Sequence, residues 1–219
     1  MLGANTSRLL SHILHQTFIV IAIVDYGMGN LRSVQKALEY LGCRAEITQD
    51  PDVIADAERV ILPGVGAFGA AMANLERLGL VEPVKKAALS GKPFLGICLG
   101  MQLLLSESDE MGLFRGLDLV PGRVVRFNID SSLKVPHMGW NALKMENPCK
   151  LLDGVKEGSQ VYFVHSFYPV PSDEFVAATS EYGIRFCAVI ARDNIFATQF
   201  HPEKSGVIGL RMLQNFAEA

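Results

Sequence analysis

The 219-residue chain has no apolar run long enough to cross a bilayer. Its longest runs, such as FIVIAIV at residues 18–24, fall far short of the roughly 20 residues a spanning helix needs. It has no excess of charge. Twenty Lys and Arg against 23 Asp and Glu leave a net charge of −3, which removes the electrostatic case for nucleic acid or an anionic membrane. It has four cysteines (Cys43, Cys98, Cys149 and Cys187), with no CxxC pair and no Cys/His cluster at metal-ligand spacing. A chain of this length does not depend on disulfides, so the thiols read as reduced and the compartment as cytoplasmic. Internal repeats, low-complexity tracts and linkers are absent, which points to one domain. Residues 1–17, MLGANTSRLLSHILHQT, lack the apolar core and the small-residue cleavage site of a signal peptide. They are expected to form a disordered extension ahead of a domain covering 18–219.

What the chain does have is 49% hydrophobic residues in two contrasting patterns. In the first half, β-branched or apolar runs end at glycine and lead into helical periodicity. FIVIAIVDYG precedes NLRSVQKALEYLG, in which Leu31, Val34, Ala37, Leu38 and Leu41 share one face. CRAEIT is a further short strand. RVILPGVG leads into AFGAAMANLERLGL, VEPVKKAALSG follows, and KPFLGIC leads into LGMQLLLSES, read as a helix. Such alternation predicts an open, mostly parallel, flavodoxin-like α/β sheet with helices on both faces. The second half is a series of short strand-like runs, with hairpin-like connections in EYGIRF and RDNIFA, closed by the helix GVIGLRMLQNFAEA. It predicts an added antiparallel region. In sheets of this kind, sites form beyond the carboxyl ends of the strands. Here those ends carry DYGMGN, PGVGAFG and GICLG.

The order strand, Gly96-Ile97-Cys98-Leu99-Gly100, helix is the context of a nucleophile elbow. The turn lifts the Cys98 side chain clear of the sheet, the helix start aims its amides at the sulfur, and the Leu99 amide is placed to donate to an oxyanion. Taken alone, a buried cysteine among glycines satisfies the same pattern. A thiol nucleophile needs a base. Of the five histidines, His201 stands out, because it opens HPEKSG at the end of the apolar run IFATQF. Pro202 favours an extended backbone at His201, so Glu203, two residues on, projects beside the ring and can orient it. In PGVG, Gly64 and Gly66 let the turn face its amides toward a negative oxygen, although a plain strand-to-helix turn reads the same way. Gly27-Met28-Gly29 starts a dinucleotide fingerprint but fails it, because Arg32 occupies the place of the third glycine. A non-catalytic flavodoxin-like module that binds phosphate on its glycine loops is the rival reading.

GICLGMQ, followed about a hundred residues later by HPE, resembles the triad-type, class I glutamine amidotransferases over nearly the whole chain from Phe18. DYGMGNL (25–31) and PHMGWN (136–141) narrow the resemblance to the glutaminase subunits of imidazole glycerol phosphate synthases. The resemblance implies that Cys98 attacks the side-chain amide of L-glutamine, that His201 moves the protons and that Glu203 orients it. It implies an oxyanion site from the amides of Leu99 and of Val65 or Gly66. Gly64, Gln102 and the backbone at Ser166 and Phe167 would recognise the glutamine; many relatives carry tyrosine at the Phe167 position. It further implies a (β/α)₈-barrel cyclase subunit as partner in histidine biosynthesis, with Asn30, Met138, Trp140 and Tyr162 at the interface. It implies no metal or organic cofactor. From the residues alone, Met138 and Trp140 fit core packing equally well.

Overall fold

The computed structural model describes residues 20–219; the expected extension at 1–17, with Phe18 and Ile19, lies outside the described residues. From Val20 the chain alternates strand and helix. It runs β1 (Val20–Val24), α1 (Leu31–Tyr40), β2 (Arg44–Thr48), α2 (Pro51–Asp56), β3 (Arg59–Gly64), α3 (Phe68–Arg77), α4 (Val81–Leu89), β4 (Phe94–Cys98) and α5 (Leu99–Leu103). The second half gives β5 (Leu105–Ser108), β6 (Phe114–Arg115), β7 (Val120–Arg126), β8 (His137–Ala142), β9 (Lys144–Met145), β10 (Gln160–His165) and β11 (Phe167–Pro171). It closes with β12 (Val176–Tyr182), β13 (Ile184–Arg192), β14 (Ile195–Thr198) and α6 (Gly206–Glu218).

The main sheet has the order β2-β1-β3-β4-β14-β13-β12-β9. The first five of these strands pair in parallel, and the last three add antiparallel pairs. This is the flavodoxin-like order extended by an antiparallel edge. Strand alternation explains why helices cover both faces. Ala22 and Val24 of β1 point into one apolar cluster with Phe68 and Leu75 of α3 and Val84 of α4. Ile21 and Ile23 point into the other, with Val34 and Leu38 of α1 and Met212, Leu213 and Phe216 of α6. Each of these large apolar side chains contributes about 1.5–3 kcal/mol by leaving water. The central strands β3, β4 and β14 are buried along their whole length, whereas the edge strand β2 alternates exposed and covered residues.

Three local features depart from the sequence expectation. The helix α2 was not expected from the sequence; Asp50 caps it by accepting the Asp52 N–H at 2.9 Å, with Pro51 in the first turn. The expected helix through LGMQLLLSES stops at Leu103. Beyond it the backbone is claimed by the segment that leads into β7. The N–H groups of Leu117 and Leu119 donate to the Leu103 and Leu104 carbonyls at 2.8 and 2.9 Å. Leu105–Ser108 then becomes β5, within the four-stranded sheet β11-β7-β5-β6. Tertiary pairing overrides the helix propensity of a leucine run. The run QVYFVHSFYPV also divides at Ser166: β10 pairs with β8 in a two-stranded ribbon, and β11 joins the four-stranded sheet.

Candidate active site

Three adjacent parallel strands end at one place. Gly64 of β3 is in register beside Cys98 of β4, and Thr198 of β14 lies beside Ile97. Cys98 holds a left-handed backbone (φ 55°, ψ −109°) between strand and helix. For a residue with a Cβ this conformation costs on the order of 1–3 kcal/mol and persists only where the surroundings enforce it. They enforce it here through close packing of α5 on β3: a Cβ on Gly100 would collide with the Leu62 carbonyl oxygen. The elbow reading of GICLG therefore describes the observed turn. Cys98 is 6% exposed, and its sulfur accepts a long contact from Gln199 Nε2 at 3.8 Å.

His201 follows β14 by way of Gln199 and Phe200. Its Nδ1 lies 2.8 Å from Glu203 Oε1, and both side chains are almost fully buried. The juxtaposition holds, but its geometric cause differs from simple strand alternation. Pro202–Lys204 form a 3₁₀ turn, which folds Glu203 back under the ring. Burial by itself would lower the His201 pKa. The nearby Cys98 and the hydrogen-bonded Glu203 outweigh burial and raise it to about 10. His201 Nε2 itself is buried and makes no hydrogen bond.

A cavity of about 330 Å³ opens above the elbow, lined by residues from both halves. Cys98, Leu99, Gln102 and His201 meet Val65 and Gly66 from the PGVG turn, and Ser166 and Phe167 from the β10–β11 junction. Within the described residues, the amides of Val65 and Gly66 donate to no backbone acceptor, and Gly66 adopts φ 101°. Gly64, expected among the glutamine contacts, lies below the cavity and is not part of its wall. Its hydrogen makes room: a Cβ there would strike the Tyr26 hydroxyl and stand 3.0 Å from the Leu99 Cβ. Gln102 is buried, and its Nε2 donates to the Phe167 carbonyl and to Gln199 Oε1, both at 3.0 Å.

Of the four expected interface residues, three are exposed and Tyr162 is half-buried. Met138 and Trp140 are 63% and 56% exposed, which excludes the core-packing reading. Trp140 packs edge-on to Tyr162 across the ribbon, and Asn30 is an exposed residue at the start of α1. Among the described residues no group of three or more His, Cys, Asp or Glu is placed to hold a metal ion. No described helix is long and apolar enough to cross a membrane.

Four cavity residues were not among those expected from the sequence: Pro136, Val164, Glu110 and His165. Glu110 lines the cavity while its Oε2 accepts the Phe68 N–H at 2.6 Å. It sits in a run of acidic residues, SESDE, where nothing in the pattern separates it from Glu107 or Asp109. His165 also lines the cavity. Strand alternation turns it inward, but only the pairing of β10 with β8 shows what it meets.

A thiol on a strand-to-helix elbow, with a carboxylate-oriented histidine just beyond the neighbouring strand, is the equipment of a cysteine-dependent hydrolase or acyl-transfer enzyme built on an α/β sheet. The chain belongs to the class-I glutamine amidotransferase family, whose sequence pattern matches residues 22–219. It is 55% identical over 205 residues to the imidazole glycerol phosphate synthase subunit HisH of Syntrophotalea carbinolica, covering 91% of this chain and all of that one. The protein of the same description from Methanothermobacter thermautotrophicus is 54% identical, covering 91% and 98% of the two chains. Among solved structures, PurLQS from Thermotoga maritima superposes with a TM-score of 0.69 at 25% identity, covering 91% of this chain and 97% of that one. A glutamine amidotransferase from the same organism gives 0.67 at 13% identity, covering 92% and 99%, and shows the shared fold.

Proposed function

We propose that this chain hydrolyses glutamine to glutamate and ammonia, and supplies the ammonia to a (β/α)₈-barrel cyclase subunit that makes imidazole glycerol phosphate and aminoimidazole carboxamide ribotide. The observation that carries the reading is Cys98, in a strained elbow, sharing one cavity with a His201–Glu203 pair. The relatives described as imidazole glycerol phosphate synthase subunits support the choice of pathway. Four free cysteines fit a reducing cytoplasm.

The Cys98 sulfur attacks the side-chain carbonyl carbon of glutamine. The oxygen takes up the negative charge and is held by the amides of Leu99 and of Val65 or Gly66. His201, having taken the thiol proton, passes it as imidazolium to the leaving nitrogen, so that ammonia departs and a thioester remains. Thioester formation removes the charge on Cys98, one of the influences that raise the His201 pKa. Burial then draws the ring toward the neutral form, and the same residue becomes the base that deprotonates the attacking water. Collapse of the second tetrahedral state frees glutamate and restores the thiol. Glu203 holds the ring throughout. Glu110 places a carboxylate in the cavity for the substrate ammonium, and the Gln102 and Ser166–Phe167 region faces the rest of the amino-acid end.

The exposed Met138 and Trp140, with Tyr162 and Asn30, form the surface for the cyclase. The two-glycine turn has several accessible backbone conformations, so its amides need not face the oxyanion until the partner docks. Glutamate release should be slow in the isolated chain. It should rise by at least about 10²–10³, the usual contribution of one oxyanion donor, when the cyclase and its nucleotide ligand are added. Full activity in the isolated chain would remove the activation step. No glutamate release from the complex would remove the glutaminase reading.

A further inference from the structure

Two buried histidines have no part in the reaction above. His137 on β8 and His165 at the end of β10 are partners in register across the ribbon, 3% and 6% exposed. Nδ1 of His137 lies 3.1 Å from Nε2 of His165, and Nδ1 of His165 lies 2.9 Å from the Phe167 carbonyl. A carbonyl only accepts. Nδ1 of His165 therefore carries its proton, Nε2 of His165 is a bare acceptor, and Nδ1 of His137 donates to it. Nε2 of His137 is then the acceptor at the far end. It stands 3.5 Å from the Asn141 amide nitrogen, whose shorter bond runs to the Glu181 carbonyl at 2.7 Å. Every donor points the same way, from β8 toward the cavity.

The order requires both rings to be neutral. Burial lowers the His137 pKa to about 4. Burial likewise lowers His165 to about 3, assisted by the neighbouring His137 and His201 and opposed by the Phe167 carbonyl. The remaining neighbours of the pair are aromatic: Phe127, Phe163, Tyr182 and Phe186 surround the two rings. At neutral pH the relay has one tautomeric arrangement.

Its two ends touch different things. At the inner end, the Phe167 carbonyl also accepts from Gln102 Nε2, which bonds Gln199, which in turn contacts the Cys98 sulfur. At the outer end, β8 presents His137 and Asn141 inward, and Met138 and Trp140 outward.

We propose that His137 and His165 form a positioning relay that fixes the Phe167 carbonyl and Gln102 for glutamine, so that glutamine affinity follows the position of β8. The proposal rests on the glutaminase reading. The pair are positioning residues: they shape binding and leave the chemistry at Cys98 alone. Loss of one buried hydrogen bond in the relay should weaken glutamine binding about tenfold.

The test uses the full chain saturated with its cyclase partner. His137→Phe keeps an aromatic ring, though a larger one, and removes the donor. It should raise the glutamine KM about tenfold with kcat within about twofold. His137→Asn, which restores a donor near the Nδ1 position, should keep KM near the parent value, whereas His137→Gln, with its amide one carbon too far, should not. Inactivation by the glutamine analogue 6-diazo-5-oxo-norleucine should slow in His137→Phe, while inactivation by iodoacetamide, which has no amino-acid end, should proceed at the parent rate. An unchanged KM in His137→Phe, or an Asn variant as impaired as the Gln variant, overturns the relay. If His137→Phe does not fold, the Asn–Gln contrast decides alone. A parent complex that releases no glutamate shows that the glutaminase reading has failed, before any variant is compared.

Discussion

The first and second halves of the chain serve the same cavity by different means. The first half supplies a single reactive side chain, Cys98, and works largely through backbone at the Leu99 amide of the elbow and at the PGVG turn. The later half supplies side chains held by other side chains. His201 rests on Glu203, His165 on His137, and Gln199 joins Gln102 of α5 in linking the Phe167 carbonyl to the sulfur. Parallel strand ends next to helix starts expose unpaired amides, which suit a developing oxyanion. Antiparallel ribbons set side chains opposite one another in register, which suits hydrogen-bonded rings.

The largest expected effect removes what only the first half provides. Cys98→Ala should abolish glutamine-dependent synthesis by the complex, while synthesis driven by external ammonium persists. Failure of high ammonium to rescue an assembled complex would contradict the division of labour. The next contrast lies within the second half. His201→Ala should cost on the order of 10⁶ in kcat for glutamate release, and Glu203→Gln should be roughly a hundredfold milder, because Glu203 orients the ring and carries no proton. Equal losses would mean that the carboxylate does more than orient.

A smaller effect tests whether the first half depends on close backbone approach. Gly100→Ala sets a Cβ against the Leu62 carbonyl. Overpacking of this kind costs about 1–3 kcal/mol and should lower the thermal midpoint by on the order of 5 °C, with activity falling alongside. A midpoint unchanged by the added methyl would show that α5 can move off β3.

The smallest effect concerns protons in the second half. His137 and His165 are held neutral in the fold, with pKa values of about 4 and about 3, while the unfolded chain takes up protons below about pH 6.5. The unfolded state binds more protons in that window, so stability falls as pH drops through it. His201 has the opposite sign. Its contribution is whole below about pH 6.5 and is lost as pH rises toward about 10. Between pH 6.5 and 5, above the carboxylate range, the pair should remove on the order of 1–2 kcal/mol, discounted because His137 lies nearer the surface than His165. Urea midpoints at the two pH values check this; a flat profile would mean that the rings are not held neutral.

Legibility differs between the halves for the same reason. Glycine punctuation and apolar runs are local signals, so the strands, helices and turns around Cys98 could be read directly from GICLGMQ and PGVG. The fate of LLLSES could not, because residues 117–120 decide it from a distance. His201 and Glu203 were legible as neighbours in sequence, although a 3₁₀ turn brings them together. The His137–His165 contact was not legible, because it depends on the register of β8 with β10, residues 28 apart. Glu110 carried no signal at all among its acidic neighbours.

The position of β4 sets an order in time. Its partner β3 precedes it in the chain, whereas β14, on its other edge, arrives about a hundred residues later, followed by His201. A ribosome releases the chain from its N-terminus, so the thiol emerges long before its base. An unfinished or truncated product holds a cysteine that cannot complete a turnover. The catalytic pair is therefore complete only once synthesis has passed β14, and the same strand that closes the sheet brings the base to the thiol.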